Sequence, residues 1–175
     1  MERPEDKTIL VVDDEPNVRE YLATVLQDAG FNVVTAGDGA EALEIIRENP
    51  PDFISLDLIM PRKSGHKLMY ELRKHKQWSR IPVLVVTAHA QDELGKGDLE
   101  DLLENRVMSG PGTYLEKPVN PASYVRSIQR ALGIEETENA TEKIDLKEEL
   151  QKGLQGASPD ALRMALEALK QERKD

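Results

Sequence analysis

Two adjacent carboxylates, Asp13-Asp14, and a third, Asp57, each follow a short apolar run, and they are the residues of this 175-residue chain best placed to do chemistry. Unpaired carboxylates brought close raise one another's pKa and repel, so such a site calls for a hard cation with oxygen ligands, of which Mg²⁺ is the natural choice. The run before the pair, Thr8-Ile9-Leu10-Val11-Val12, is too short for a spanning helix and reads as a buried strand. Pro16 then suits the first turn of a helix. Asp52-Phe53-Ile54-Ser55-Leu56-Asp57 ends the same way. In an open parallel sheet the ligand crevice lies at the carboxyl ends of the strands, where strand order reverses. The three acids are therefore expected to meet in one crevice.

The elements that must position them follow in order. Val18, Tyr21, Leu22, Val25, Leu26 and Ala29 recur at helical spacing, with Gly30 as a left-handed stop. Phe31 to Ala36 reads as a second strand, and Gly37-Asp38-Gly39 turns the chain into a helix with Ala42, Leu43, Ile45 and Ile46 inward. After Asp57, a loop through Met60-Pro61 and Ser64-Gly65 leads to a helix carrying Leu68, Met69 and Leu72, for which Ser64 is the expected cap. Ile81 to Thr87 is a fourth strand and Thr113 to Glu116 a fifth, ending at Lys117-Pro118. Asn120-Pro121 opens a last helix with Tyr124, Val125, Ile128 and Leu132 on one side, and Gly133 closes it. Between Ala90 and Gly112 the pattern weakens, and a short or displaced fourth helix is expected around Leu99 to Val107. Strand and helix alternating at this spacing predict a parallel sheet covered on both faces.

Beyond Gly133 the chain changes character. Residues 134–143 read as a polar, acidic linker, and 144–175 as a helical extension with Leu146, Leu150 and Leu154 on one face and a strong helix start at Ser158-Pro159-Asp160. Two amphipathic helices this short must pack on something to bury their stripes. They are expected to pair with a second copy, dock a partner, or cap the residue 7–133 domain. A formal charge of −10 opposes contact with nucleic acid or anionic lipid. No apolar run reaches the length of a membrane span, and the charged start Met1 to Lys7 lacks the apolar core of a secretory signal, so a cytoplasmic protein without a membrane partner is expected. With no cysteine, disulfides and thiolate chemistry are excluded.

As a set, Asp13-Asp14, Asp57 with Met60-Pro61 and Gly65, Thr87-Ala88 and Lys117-Pro118 resemble the motifs of the receiver domain of two-component response regulators, over roughly residues 7–133. The resemblance implies a doubly wound α/β fold of the flavodoxin-like kind, with a five-stranded parallel sheet in the order 2-1-3-4-5 and the helical tail appended. It implies that Asp57 is the phosphoacceptor, that Asp14, Asp57 and the Ile59 backbone carbonyl bind Mg²⁺ directly, and that Asp13 does so through water. Thr87 and Lys117 would bind phosphoryl oxygens, Ala88 would leave room for the incoming group, and Tyr114 would be the aromatic that turns inward when Thr87 moves. The Lys117-Pro118 bond would be cis. The donor would be a histidine kinase or phosphotransfer protein and the readout a protein target, with homodimerisation through the tail or through the face of the fourth helix, fifth strand and last helix. Such a chain is no turnover enzyme, although it assists its own phosphorylation and dephosphorylation. The tail lacks the length and basic helix of a DNA-binding output domain, so no direct contact with nucleic acid is expected.

Each residue also has a plainer role. Asp13 and Asp14 could serve only as acids at a helix N-terminus, Lys117 as a surface lysine, Thr87 as a strand-end cap and Tyr114 as a half-buried strand residue. His66 and His75 read as solvated helix residues. A Mg²⁺-dependent phosphohydrolase on a related sheet and a phosphorelay intermediate are the alternatives; the first lacks an Asp-x-Asp pair after strand one or three.

Overall fold

The computed structural model describes residues 2–88 and 114–134, and in the tail residues 146, 152, 158–161 and 163–164. The expected helix around Leu99 to Val107 lies outside the described residues. Five strands, β1 (Thr8–Val12), β2 (Asn32–Ala36), β3 (Phe53–Leu56), β4 (Val83–Thr87) and β5 (Tyr114–Glu116), form one sheet in the order β2-β1-β3-β4-β5. All four pairings are parallel. The expected α/β fold and strand order are those observed.

Alternation along the strands divides the core in two. Leu10, Val12, Ile54 and Leu56 point to the side covered by α2 (Gly39–Glu48) and α3 (Ser64–Lys74), where Ala42, Ile46, Leu68, Met69 and Leu72 meet them. Ile9, Val11, Phe53 and Leu84 point to the other side, covered by α1 (Pro16–Asp28) and the helix Pro121–Ala131 through Leu22, Leu26, Val125 and Ile128. Because both faces are covered, β1 and β3 are almost wholly apolar rather than alternating with polar residues. Edge strand β2 is the exception: most of its residues are exposed, Val34 among them.

The register decides where the acids fall. Val12 lies beside both Ala36 and Leu56, so β1, β2 and β3 end level. Asp13 N donates to Ala36 O at 3.2 Å and Asp57 N donates to Val12 O at 2.9 Å, which carries the pairing one residue further into the acids. Helix ends use local devices that spacing foretells. Gly30, at φ +93°, closes α1 with hydrogen bonds from Gly30 N to Gln27 O and from Phe31 N to Leu26 O. The Asn120 carboxamide accepts from Ser123 N at 2.9 Å and opens the last helix.

Three expectations need correction. Tyr21, expected on the inner stripe of α1, is 44% exposed, because α1 is buried only along Leu22, Ala23, Val25 and Leu26. Ser64 is not a side-chain cap: its Oγ is buried without a hydrogen-bond partner among the described residues, and a 3₁₀ turn at Pro61–Lys63 makes the entry to α3 instead. Both ring nitrogens of His66 are buried, so it is not a solvated residue.

Gly65 is required by close approach. A Cβ there would lie 2.5 Å from Asp57 O and 2.8 Å from Leu58 Cα, both backbone atoms that cannot rotate aside. Gly65→Ala is therefore expected to destabilise the fold by about 2 kcal/mol, as overpacking does. Urea unfolding of the two proteins measures this, and equal midpoints would show that the β3–α3 loop yields freely.

Candidate functional site

Asp13, Asp14 and Asp57 do meet. One carboxylate oxygen from each lies within 4.8 Å of the others, at the carboxyl ends of β1 and β3. Asp13 and Asp57 are buried, at 1% and 4% exposure, while Asp14 is the more open of the three. The Lys117 ammonium arrives from the end of β5 and lies 2.8 Å from Asp13 Oδ2, 3.1 Å from Asp57 Oδ2 and 3.5 Å from Glu15 Oε1. The free oxygens of the buried acids are held by main-chain donors: Asp13 Oδ1 accepts from Glu15 N at 2.9 Å, and Asp57 Oδ1 accepts from Ile59 N at 3.0 Å. The Lys117-Pro118 bond is cis, as the family resemblance implied.

The electrostatics follow from burial. Removing the Asp57 carboxylate from water pushes its pKa up; Lys117 pulls it down, the neighbouring Asp13 charge raises it, and Ile59 N lowers it, leaving a value of about 6. Burial works to lower the pKa of Lys117, but its hydrogen bond to Asp13 and the charges of Asp57 and Asp13 outweigh that, and the net shift is upward. Lys117 therefore stays an ammonium across the physiological range. Oxygen donors at this spacing, of net negative charge and partly open to solvent at Asp14, fit a small hard cation such as Mg²⁺. All three acids offer an oxygen close enough to share such an ion.

Thr87 closes β4 opposite Glu116, Ala88 follows it exposed at the sheet edge, and Tyr114 opens β5 opposite Val85. The side-chain roles expected for Thr87 and Tyr114 lie outside what the structure describes. Two residues join the site that the sequence did not single out. Glu15 shares the Lys117 ammonium, and Arg19 Nη1 donates to the Asp13 carbonyl oxygen at 2.7 Å. Glu15 was legible as the third acid of the run. Arg19 carried only one signal, as the single basic residue in α1.

Comparison with known proteins agrees with this geometry. The sequence model of the response regulator receiver domain matches residues 9–129. The chain is 38% identical over 135 residues to the protein named "Probable transcriptional regulator ycf27" of Cyanophora paradoxa, covering 77% of this chain and 51% of that one. It is 36% identical over 132 residues to the "DNA-binding response regulator MtrA" of Mycolicibacterium smegmatis, covering 75% of this chain and 53% of that one. This chain thus spans about half the length of these curated relatives. Among solved structures, chemotaxis protein CheY4 of Vibrio cholerae superposes with a TM-score of 0.60 at 32% identity, covering 71% of this chain and 98% of that one.

The raised Asp57 pKa gives a stability signature in metal-free buffer. A carboxyl group whose folded pKa, about 6, exceeds its ordinary 3.8 contributes stability that is complete below 3.8 and lost as pH rises through 6. Asp57→Asn removes that loss, so the variant is expected to be more stable than the native chain by about 1 to 3 kcal/mol at neutral pH, with the difference closing toward about pH 4. Chemical unfolding as a function of pH measures it. A constant difference across that range would mean that Asp57 does not titrate as its burial requires.

Proposed function

The chain belongs to the response regulator receiver family of two-component signalling, and from that membership we propose that it accepts a phosphoryl group on Asp57 from a histidine kinase or phosphotransfer protein and signals through a changed protein contact. The observation that carries this is the convergence of three carboxylates and Lys117 at one sheet edge. Phosphoryl transfer to a carboxylate is chiefly a matter of position and charge, and an ionised acceptor needs no general base. The Asp57 carboxylate attacks phosphorus, a new P–O bond forms as the P–N bond to the donor imidazole breaks, and the imidazole nitrogen keeps the electron pair. Ile59 N holds Asp57 Oδ1, which leaves Oδ2, now paired with Lys117, as the attacking oxygen.

Bound Mg²⁺ would supply the charge neutralisation that the transferring phosphoryl group needs, held by Asp14, Asp57 and the Ile59 carbonyl, with Asp13 acting through water. Lys117 would exchange its carboxylate partners for phosphoryl oxygens. Thr87 would hydrogen-bond the group once it is attached, Ala88 would leave room for it, and Tyr114 would follow Thr87 inward, changing the surface of that sheet edge. The chain would promote gain and loss of its own phosphoryl group without turning over a separate substrate.

The output is proposed to be protein contact, in keeping with the charge of −10. DNA binding is in the printed name of the MtrA relative, of which this chain matches 53%. Residues 7–133 would be the receiver, 134–143 a linker and 144–175 a helical extension that pairs with a second copy or docks a partner. In support, Ser158 Oγ accepts from Ala161 N at 3.4 Å at the expected helix start, and Leu146 and Met164 are exposed, at 59% and 74%. Residues of this extension leave apolar side chains in water that a partner would cover. The cytoplasm, where such donors present their phosphohistidine, is the proposed compartment.

Two outcomes test these proposals. With a small-molecule phosphodonor and Mg²⁺, intact-mass spectrometry should find one phosphoryl group on the native chain and none on Asp57→Ala, while Lys117→Ala should react about 100-fold more slowly. Persistent modification of Asp57→Ala would overturn the assignment of the acceptor. Truncation after Gly133 should leave phosphorylation intact and change the oligomeric state; identical sedimentation of the truncated and full-length chains would remove self-association from the role of the tail.

A further inference from the structure

Asp13 is fixed at four points. Its N donates to Ala36 O at 3.2 Å, its Oδ1 accepts from Glu15 N at 2.9 Å, its Oδ2 meets Lys117 at 2.8 Å, and its carbonyl oxygen accepts from Arg19 Nη1 at 2.7 Å. Among the described residues, Lys117 and Arg19 are the ones that reach it with a side-chain donor. They differ in what the chemistry asks of them: Lys117 must turn toward a phosphoryl group, whereas Arg19 touches only main chain and can stay. The hold that persists through the cycle is therefore that of Arg19.

The surroundings of Arg19 are built for that contact. A Cβ on Gly37, just past the end of β2, would lie 3.5 Å from Arg19 Nη1 and 3.5 Å from Glu41 Oε2. The guanidinium thus lies beside the Gly37 turn, in van der Waals reach of where a side chain would begin. Glu41 Oε2 accepts from Gly37 N at 2.7 Å, and the same Gly37 turn leads through Asp38, which caps α2 by accepting from Ala40 N and Glu41 N. One side chain on α1 thereby bonds the β1–α1 turn, which carries the acids, while lying beside the β2–α2 turn. The rigid fork of a guanidinium suits a carbonyl approached from a helix one turn away. Its positive charge by itself disfavours a nearby cation, and the Glu41 carboxylate, which lies near the same point beside Gly37, offsets part of that charge.

Given the phosphoacceptor function proposed above, we infer that Arg19 is a positioning residue that, lying beside the β2–α2 turn, bonds the β1–α1 turn and holds the Asp13-Asp14 pair in its cation-binding arrangement. Loss of that hold lets the pair relax under its own repulsion, so Arg19→Ala should weaken Mg²⁺ binding about tenfold, as loss of a group supporting a metal ligand does. Arg19→Lys keeps charge and a donor and should recover part of the loss.

Three measurements on the full-length chain test this together: Mg²⁺ titration, amide hydrogen exchange and the unfolding midpoint. Calorimetric titration with Mg²⁺ compares native, Arg19→Ala, Arg19→Lys and Asp13→Asn chains, and amide hydrogen exchange of Glu15 and Gly37 is followed without metal. The expected result is weaker Mg²⁺ binding in Arg19→Ala, partial rescue by Arg19→Lys, and faster exchange at both amides in Arg19→Ala. Unchanged Mg²⁺ affinity and unchanged exchange in Arg19→Ala, beside a native chain that binds and an Asp13→Asn chain that binds less, would overturn the role of Arg19 alone. A lowered unfolding midpoint in Arg19→Ala with native Mg²⁺ affinity would overturn it too, in favour of a purely structural contact. A native chain that binds no Mg²⁺ would overturn both the role of Arg19 and the function on which it rests.

Discussion

Burial of Asp13 and Asp57 side by side, with Asp14 next to them, is the constraint on which the rest of this structure depends. Two of these carboxylates are almost wholly out of water, where a charge is costly without a partner. Lys117 partly answers the cost by placing one ammonium between Asp13 and Asp57. The answer is incomplete, and the Asp57 pKa of about 6 records what remains. A site left short of positive charge has affinity for a further cation and for a ligand that brings one, which is the condition a metal-assisted phosphoacceptor requires.

The sheet makes this arrangement affordable to hold. Parallel strands whose carboxyl ends are level deliver side chains from β1 and β3 to one line, and β5, two strands away, sends Lys117 back across the edge. Main-chain donors then fix the oxygens that are not needed: Glu15 N on Asp13 and Ile59 N on Asp57. Gly65 allows the β3–α3 loop to fold back tightly on Asp57 O, so Asp57 stands on packed backbone rather than on a free loop. The same rigidity limits how a signal could leave. The described core is closed on both faces of the sheet.

Much of this was legible in the chain. Val12-Asp13-Asp14 and Leu56-Asp57 declare strand ends because apolar β-branched runs stop at acids, and Pro16 and Gly30 bound α1 for reasons of backbone geometry. Legibility failed where two local devices compete or where a neighbour decides. Ser64 looks like a cap by type, but the preceding 3₁₀ turn enters α3 and buries its hydroxyl. Tyr21 fits the apolar spacing of α1, yet it is 44% exposed, because α1 is buried only along Leu22, Ala23, Val25 and Leu26. Arg19 has no motif to announce it, because its partner is a carbonyl oxygen, which every residue possesses.

The sequence by itself determined the fold class and the three acids at strand ends, which follow from apolar period, breakers and residue type, while the strand order and the choice of Lys117 were implied by the resemblance of its motifs to a known family. Tertiary structure alone decided that Lys117 lies nearer Asp13 than Asp57, that Glu15 shares it, and that Arg19 holds the Asp13 backbone. The physical reason is one of range. Periodicity and turn chemistry act over a few residues, whereas a charge network between residues 13, 57 and 117 depends on distances that only the register of the strands sets.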